Sequence, residues 1–255
     1  MDVSGYDAYT GFAEVYDQFM DNVPYDDWCA YLVSLLRDEN ITDGLVLDLG
    51  CGTGNLTERL SAAGYDMIGV DNSEEMLQQA MEKRAESGSD ILYLMQDMRS
   101  FELYGTVRAI VSLCDCMNYI LTREDLVQVL RLANNYLDPG GVFIFDLNTE
   151  YKYAAMGTQT IAEDREDCSF IWENEYRPEE RLNEYDLAVF VRQEDDLFRK
   201  YTETHLQRAW TVEEIRSAAE EAGMEWVAVY GALSVKAPED DCERIYVILR
   251  EKGKQ

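Results

Sequence analysis

At 255 residues, 47% hydrophobic and 11% aromatic, the chain carries enough apolar surface for one large core, which excludes general disorder. Its formal charge of −29, from 51 acidic against 22 basic side chains, removes the cationic surface on which nucleic-acid and anionic-membrane binding draw. So much acid reads as a solvated exterior rather than as selection for a cationic substrate.

No apolar run is long enough to span a bilayer, and Met1-Asp2-Val3 opens without the basic-then-apolar layout of a signal peptide, so a cytoplasmic protein is expected. Cys29, Cys51, Cys114, Cys116, Cys168 and Cys242 include no Cys-x-x-Cys pair, and the single histidine cannot complete a zinc set. Free, mostly buried thiols and no metal are expected.

To about Asn40 the apolar spacing is helical: Phe12, Val15, Tyr16 and Phe19, then Trp28, Tyr31, Leu32, Leu35 and Leu36, with Pro24 between the two pieces. From Leu45 short apolar runs alternate with amphipathic stretches, the pattern of a parallel sheet covered on both faces. Strands are predicted at 45–49, 66–70, 91–95, 107–113 and 141–147, with helices starting at Asn55, Ser73 and Thr122. Asp138-Pro139-Gly140-Gly141 is expected to stop the last of these helices. Between Thr149 and Ala209 the alternation becomes period two, as in Phe170, Trp172, Asn174, Tyr176 and in Leu187, Val189, Val191, predicting a small added antiparallel sheet. A helix over 211–222, closed by Gly223, and strands near 226–230 and 245–249 complete a doubly wound, mostly parallel seven-stranded α/β sheet.

The run Val46-Leu47-Asp48-Leu49-Gly50-Cys51-Gly52-Thr53-Gly54-Asn55 joins an apolar strand directly to a helix through three glycines. Such a turn lets a ligand approach the backbone, and the exposed amides of the helix start attract anionic groups. The spacing is Gly-x-Gly-x-Gly, whereas a dinucleotide turn wants its third Gly or Ala where Asn55 stands, and no Gly-Lys-Ser/Thr follows to hold a triphosphate. A ligand with an adenosine but no pyrophosphate remains. Asp71, ending Ile68-Gly69-Val70-Asp71, sits where a carboxylate can accept both ribose hydroxyls, although alone it could equally cap the helix near Ser73.

With these residues in place the chain resembles the class I S-adenosylmethionine-dependent methyltransferases, whose first motif Leu47-Asp48-Leu49-Gly50-Cys51-Gly52-Thr53-Gly54 matches closely. The resemblance covers about 45–147 and the carboxyl end. It implies that Asp48 and the turn Gly50, Cys51, Gly52, Thr53 and Gly54 hold the methionine portion of S-adenosylmethionine, and Asp71 its ribose. In Gln96-Asp97-Met98, Asp97 would accept from the adenine amino group and Met98 pack on the ring; without the glycine turn the two would read as helix cap and core filler. Asn72, Met76, Cys114, Asp115 and Asn118 complete the expected cofactor set. Asp115 could steady the sulfonium, orient a nucleophile or hydrogen-bond local backbone.

Tyr9-Thr10-Gly11-Phe12-Ala13-Glu14-Val15-Tyr16-Asp17 looks like the amino-terminal lid of small-molecule and uncharacterised bacterial methyltransferases, with Tyr16 and Tyr9 over the cofactor; plain core packing competes with that role. The division implied is a helical lid at 1–40, a methyltransferase core at 41–148, an inserted antiparallel substrate-side segment at 149–210 and the rest of the core at 211–255. His205 shares a strand face with Tyr201 and Glu203; a lone imidazole there is more often a packing residue, so no catalytic residue is assigned. The expected activity is methyl transfer from S-adenosylmethionine to a small molecule. The alternatives are a methyltransferase of RNA or protein and a non-catalytic binding module; the glycine spacing disfavours an NAD-dependent oxidoreductase.

Overall fold

The computed structural model describes residues 13–193 and 197–254, so Tyr9 and Phe12 lie outside the described residues. Two helices, α1 (Ala13–Phe19) and α2 (Tyr25–Asp38), precede the sheet, separated at Pro24 as the periodicity requires. Strands β1 (Leu45–Leu49), β2 (Asp66–Asp71), β3 (Leu92–Met95) and β4 (Val107–Ser112) alternate with α3 (Asn55–Ala62), α4 (Glu74–Ser87) and α5 (Arg123–Tyr136). The caps are those expected: Ser73 Oγ accepts from Met76 N at 3.2 Å and Thr122 Oγ1 from Asp125 N at 3.1 Å.

Strand β5 (Leu137–Asn148) starts four residues earlier than predicted, because Asp138-Pro139-Gly140-Gly141 continues the extended chain instead of forming a loop. Leu137 pairs with Val107, and the register shifts before Ala109 pairs with Val142. A short helix, α6 (Glu150–Met156), follows; Thr149 Oγ1 accepts from Lys152 N at 3.2 Å, and this helix occupies the start of a segment expected to be strand. Then come β6 (Gln159–Asp164), β7 (Cys168–Arg177), β8 (Leu182–Arg192) and β9 (Phe198–Arg208), an antiparallel sheet in chain order. The chain closes with α7 (Val212–Glu221), started by a Thr211/Glu214 capping box, and with β10 (Glu225–Gly231) and β11 (Arg244–Arg250).

The main sheet runs β10-β11-β5-β4-β1-β2-β3. The five strands β1 to β5 are parallel where they pair, and β11 is antiparallel to both neighbours. This is the predicted seven-stranded α/β sheet with a separate four-stranded antiparallel sheet. Alternation along β1 sends Leu47 and Leu49 into a core with α5 and α7, and Val46 into a second core with α2 and α3, which is why its sequence is apolar on both faces apart from Asp48. A third cluster joins Val15 and Phe19 of α1 to Leu187, Val189 and Val191 of β8. That contact lays α1 between the small sheet and the carboxyl ends of the main strands.

Candidate functional site

Strand order reverses on either side of β1, so its carboxyl end opens a crevice between β2 and β4. The glycine turn leaves β1 here and is tied to β2: Gly50 N and Cys51 N both donate to Val70 O, at 2.8 and 3.0 Å. Asp71 completes the tie, with Oδ2 accepting from Gly52 N at 2.8 Å and Oδ1 from Ser73 N at 3.0 Å. One backbone bond per oxygen leaves each with acceptor capacity. Gly52 has φ +53° and nothing within 4 Å of the place a Cβ would take, so its missing side chain leaves open space.

A cavity of about 280 Å³ fills this crevice. Of the residues expected at the cofactor, Tyr16, Asp48, Gly50, Cys51, Gly52, Thr53, Asp71, Asn72, Met76, Asp97, Met98 and Cys114 line it. Three do not. Gly54 packs away from it, where a Cβ would come within 2.5 Å of the Tyr93 hydroxyl. Asn118 is buried as a brace, donating to Asn148 O at 3.1 Å and Arg208 O at 2.8 Å while accepting from Asn148 N at 2.9 Å. Asp115 turns to the far side, into a second cavity.

Helix α1 is fastened to the turn by charge. Asp17 Oδ1 accepts from Thr53 Oγ1 and Asn55 Nδ2, both at 2.7 Å, and Asp17 pairs with Lys83, which also donates to Thr53 O at 2.9 Å. Thr53 thus spends its hydroxyl on α1. Asp97 accepts from Arg99 N at 2.8 Å and from the Arg99 guanidinium, which holds its carboxyl below the usual range. Burial pushes Asp48 up to about 7, against the Thr57 hydroxyl that donates to it at 2.7 Å and with Asp71 adding to the rise. A buried carboxylate without a cation is costly, so this wall favours a positive group.

The second cavity, about 400 Å³, lies between α1, the small sheet and the start of β11. Aromatic rings dominate its walls, among them Phe19, Tyr153, Phe170, Trp172 and Tyr185. Its polar floor is a buried ion network: Arg244 donates to Asp115 Oδ1 at 2.8 Å and pairs with Asp146, Asp146 Oδ1 accepts from Asp115 N at 2.8 Å, and Gln207 Nε2 donates to Asp115 Oδ2 at 2.7 Å. Burial works against the Arg244 charge, but Asp146 and Asp115 outweigh it and hold the guanidinium charged. Cys114 and Asp115 both take left-handed backbone, φ +64° and +54°, a strained pair at the end of β4 that this network holds in place.

The sequence left Arg244, Gln207, Lys152, Tyr153 and Tyr185 unremarked. Asp146, a carboxylate inside the apolar run Val142 to Leu147, was the available clue to the network, because a buried charge demands a partner. The two cavities share Tyr16, Trp28, Cys114 and His205 among their walls.

Residues 46–141 match the Methyltransferase domain family. The chain is 34% identical over 240 residues to YqeM of Bacillus subtilis (strain 168), a protein under a provisional methyltransferase name, covering 93% of this chain and 95% of that one. A crystal structure of an S-adenosylmethionine-dependent methyltransferase from Clostridium acetobutylicum ATCC 824 superposes with a TM-score of 0.85 at 30% identity, over 96% of this chain and 99% of the other. Over 136 residues, 52% of this chain and 56% of the relative, it is 29% identical to a dTDP-3-amino-3,4,6-trideoxy-alpha-D-glucopyranose N,N-dimethyltransferase of Streptomyces venezuelae. The chain belongs to the class I S-adenosylmethionine-dependent methyltransferases.

Proposed function

We propose that the chain moves a methyl group from S-adenosylmethionine, bound in the smaller cavity, to a small cytoplasmic molecule bound in the larger one. The observation that carries this is the shared wall of Tyr16, Trp28, Cys114 and His205. In-line displacement needs donor and nucleophile in contact and screened from water, and two adjoining cavities supply that geometry. The donor fits the residues present: the ammonium of its amino-acid end meets Asp48, its ribose the spare acceptor capacity of Asp71, and its adenine the side of Met98 and Asp97. Bound there, it supplies an electrophilic methyl group; the chain orients the two reactants and excludes water.

The larger cavity suits a molecule with flat apolar surface and a few polar groups. Trp172 Nε1 and Asn183 Oδ1 are buried on residues of its wall without a hydrogen-bond partner among the described residues, and Lys152 Nζ donates to Asn148 Oδ1 at 2.9 Å. The Streptomyces relative named for a nucleotide-linked amino sugar supports a small molecule over a polymer, as does the −29 charge against RNA. In this reading α1 and α2, within 1–40, form the lid, 41–148 and 211–255 the core, and 149–210 the acceptor wall. Titration with S-adenosylhomocysteine and NADH, followed by tritiated methyl transfer into fractionated extract, tests it. Heat with the former and label in the small-molecule fraction are expected; heat with NADH alone, or label confined to RNA or protein, would overturn it.

Two expected outcomes follow from the donor cavity. Gly52→Ala should lower stability by about 1–2 kcal/mol, the cost of left-handed backbone for a residue with a Cβ. Its affinity for S-adenosylhomocysteine should fall more than tenfold, because the methyl group enters the ligand's space; calorimetry and thermal melts separate the two effects.

The second concerns pH. Asp48 is ionised above about 7 in the free protein, and a bound ammonium pulls its pKa down, so binding at lower pH expels a proton. Affinity should therefore fall as pH drops from 7.5 to 5.5, by at most about tenfold per unit, and Asp48→Asn should flatten that slope. Because the folded pKa lies above the unfolded one, Asp48 favours the fold at low pH and that contribution is lost as pH rises through 7. Asp48→Asn should then gain melting temperature relative to wild type between pH 5 and pH 8.

A further inference from the structure

We infer that Glu203, His205, Tyr119 and Tyr185 form a proton relay serving the acceptor cavity, and that the methyl acceptor is accordingly a hydroxyl oxygen. The inference rests on the two-cavity reading above. His205, the one imidazole of the chain, projects from β9 into the wall common to both cavities with its side chain 1% exposed. Its Nε2 lies 3.2 Å from Oε2 of Glu203, whose side chain is 2% exposed, and its Nδ1 lies 3.0 Å from the Tyr119 hydroxyl. The Tyr119 hydroxyl is 2.7 Å from that of Tyr185, whose ring stacks on the imidazole at 4.8 Å and 17°. Tyr119 lines the donor cavity and Tyr185 the acceptor cavity.

The relay has Glu203 as the carboxylate. A carboxylate only accepts, so in this relay Nε2 carries the imidazole proton and Nδ1 is the acceptor. Tyr119 then donates to Nδ1 and accepts from Tyr185, so the Tyr185 oxygen remains the open acceptor at the cavity wall. Burying two groups that can both be charged costs desolvation that an apolar pair would avoid. That cost is met at the junction of the cavities, where the displaced proton appears. Glu203 is a positioning residue here, and Tyr185 is the group that meets the acceptor.

The step balances. The acceptor oxygen forms a bond to the methyl carbon as the carbon–sulfur bond breaks, and that electron pair stays on sulfur. The hydroxyl proton passes to Tyr185, the Tyr185 proton to Tyr119, and the Tyr119 proton to Nδ1, giving an imidazolium paired with Glu203. A hydroxyl needs such removal more than an amine or thiol does, because its own proton is held too tightly at neutral pH.

A single imidazole makes the test direct. Protein labelled with 15N-histidine should show, with S-adenosylhomocysteine bound at pH 7.5, a protonated Nε2 and an unprotonated Nδ1. Tyr119→Phe should shift the Nδ1 resonance and leave Nε2 protonated, and Glu203→Gln should admit the Nδ1–H tautomer. A protonated Nδ1 in the wild-type protein, alone or with Nε2, overturns the relay. As a second readout, a panel of phenols and hydroxy acids is compared with matched amines and thiols using tritiated donor. Tyr185→Phe should lower kcat on the hydroxyl acceptor about a hundredfold, with KM and S-adenosylhomocysteine affinity within twofold. Turnover of amines or thiols alone, unaffected by Tyr185→Phe, overturns it as well. Calorimetry reports donor binding separately, so failure of the relay and failure of the donor assignment are told apart.

Discussion

Asp71→Ala is expected to raise the dissociation constant for S-adenosylhomocysteine by at least a hundredfold, read by titration calorimetry. Each Asp71 oxygen already accepts one backbone amide, Gly52 at 2.8 Å and Ser73 at 3.0 Å, and each keeps capacity for one ribose hydroxyl. A charged hydrogen bond contributes about 1.5–3 kcal/mol, so two lost together amount to about 3–6 kcal/mol, two to four decades in affinity. Alanine also strips the carboxylate from the Gly52 amide, loosening the turn that shapes the cavity. Asp71→Asn separates the contributions: its single oxygen can keep one amide in place while the charge is gone, and its affinity should fall between wild type and alanine. An unchanged constant in both variants would reduce Asp71 to a cap for α4.

The cavity at the end of β1, the proposed donor site, was legible because one local motif builds most of it. A strand, a side-chain-poor turn and a helix start are adjacent in sequence and Asp71 ends the next strand, while the family resemblance supplied Tyr16, Asn72, Met76, Asp97, Met98 and Cys114; twelve of the expected residues line one cavity. Three expected residues fall outside it because each is engaged elsewhere. Gly54 is needed for packing against Tyr93, Asn118 is taken up by three backbone bonds, and Asp115 is held by Arg244 and Gln207.

The larger cavity draws on β7, β8, β9 and β11, and its closest partners are far apart in the chain: Asp115 and Arg244 are separated by 129 positions. No periodicity encodes such a pairing, and any of 22 basic residues could have answered the buried Asp146. The fold divides the same way. Continuous apolar runs gave the central strands, but α6 is only seven residues long, too short for a helical period to emerge, and the proline and glycines opening β5 have the composition of a loop. Period two in the added sheet predicted its antiparallel pairing, yet the depth at which His205 sits depends on Tyr119 and Tyr185 from other segments.

Arg244→Met should destabilise the fold by about 3–5 kcal/mol at pH 8, since it removes the cation from the buried Asp146 and the half-buried Asp115 without removing the carboxylates. Arg244 is 14% exposed, Asp115 18% and Asp146 fully buried, so water cannot replace the lost charge at Asp146. Burial already pushes the Asp146 carboxyl up with Arg244 beside it, and without the guanidinium Asp146 should titrate higher still in the folded protein. A folded pKa above the unfolded one means that stability returns as pH falls, so the deficit in urea unfolding should shrink between pH 8 and pH 5.5. Arg244→Met combined with Asp146→Asn should recover part of the loss, the coupling expected of direct partners. Equal deficits at both pH values, with no recovery in the double variant, would mean that Arg244 acts through packing on Trp28 instead. The network also holds the left-handed pair Cys114 and Asp115 between the two cavities, while Arg244 itself touches only the larger one. The same variant should therefore bind S-adenosylhomocysteine within a few-fold of wild type, because the glycine turn, Asp48 and Asp71 are held by β1, β2 and α3 and owe nothing to the charge at the start of β11.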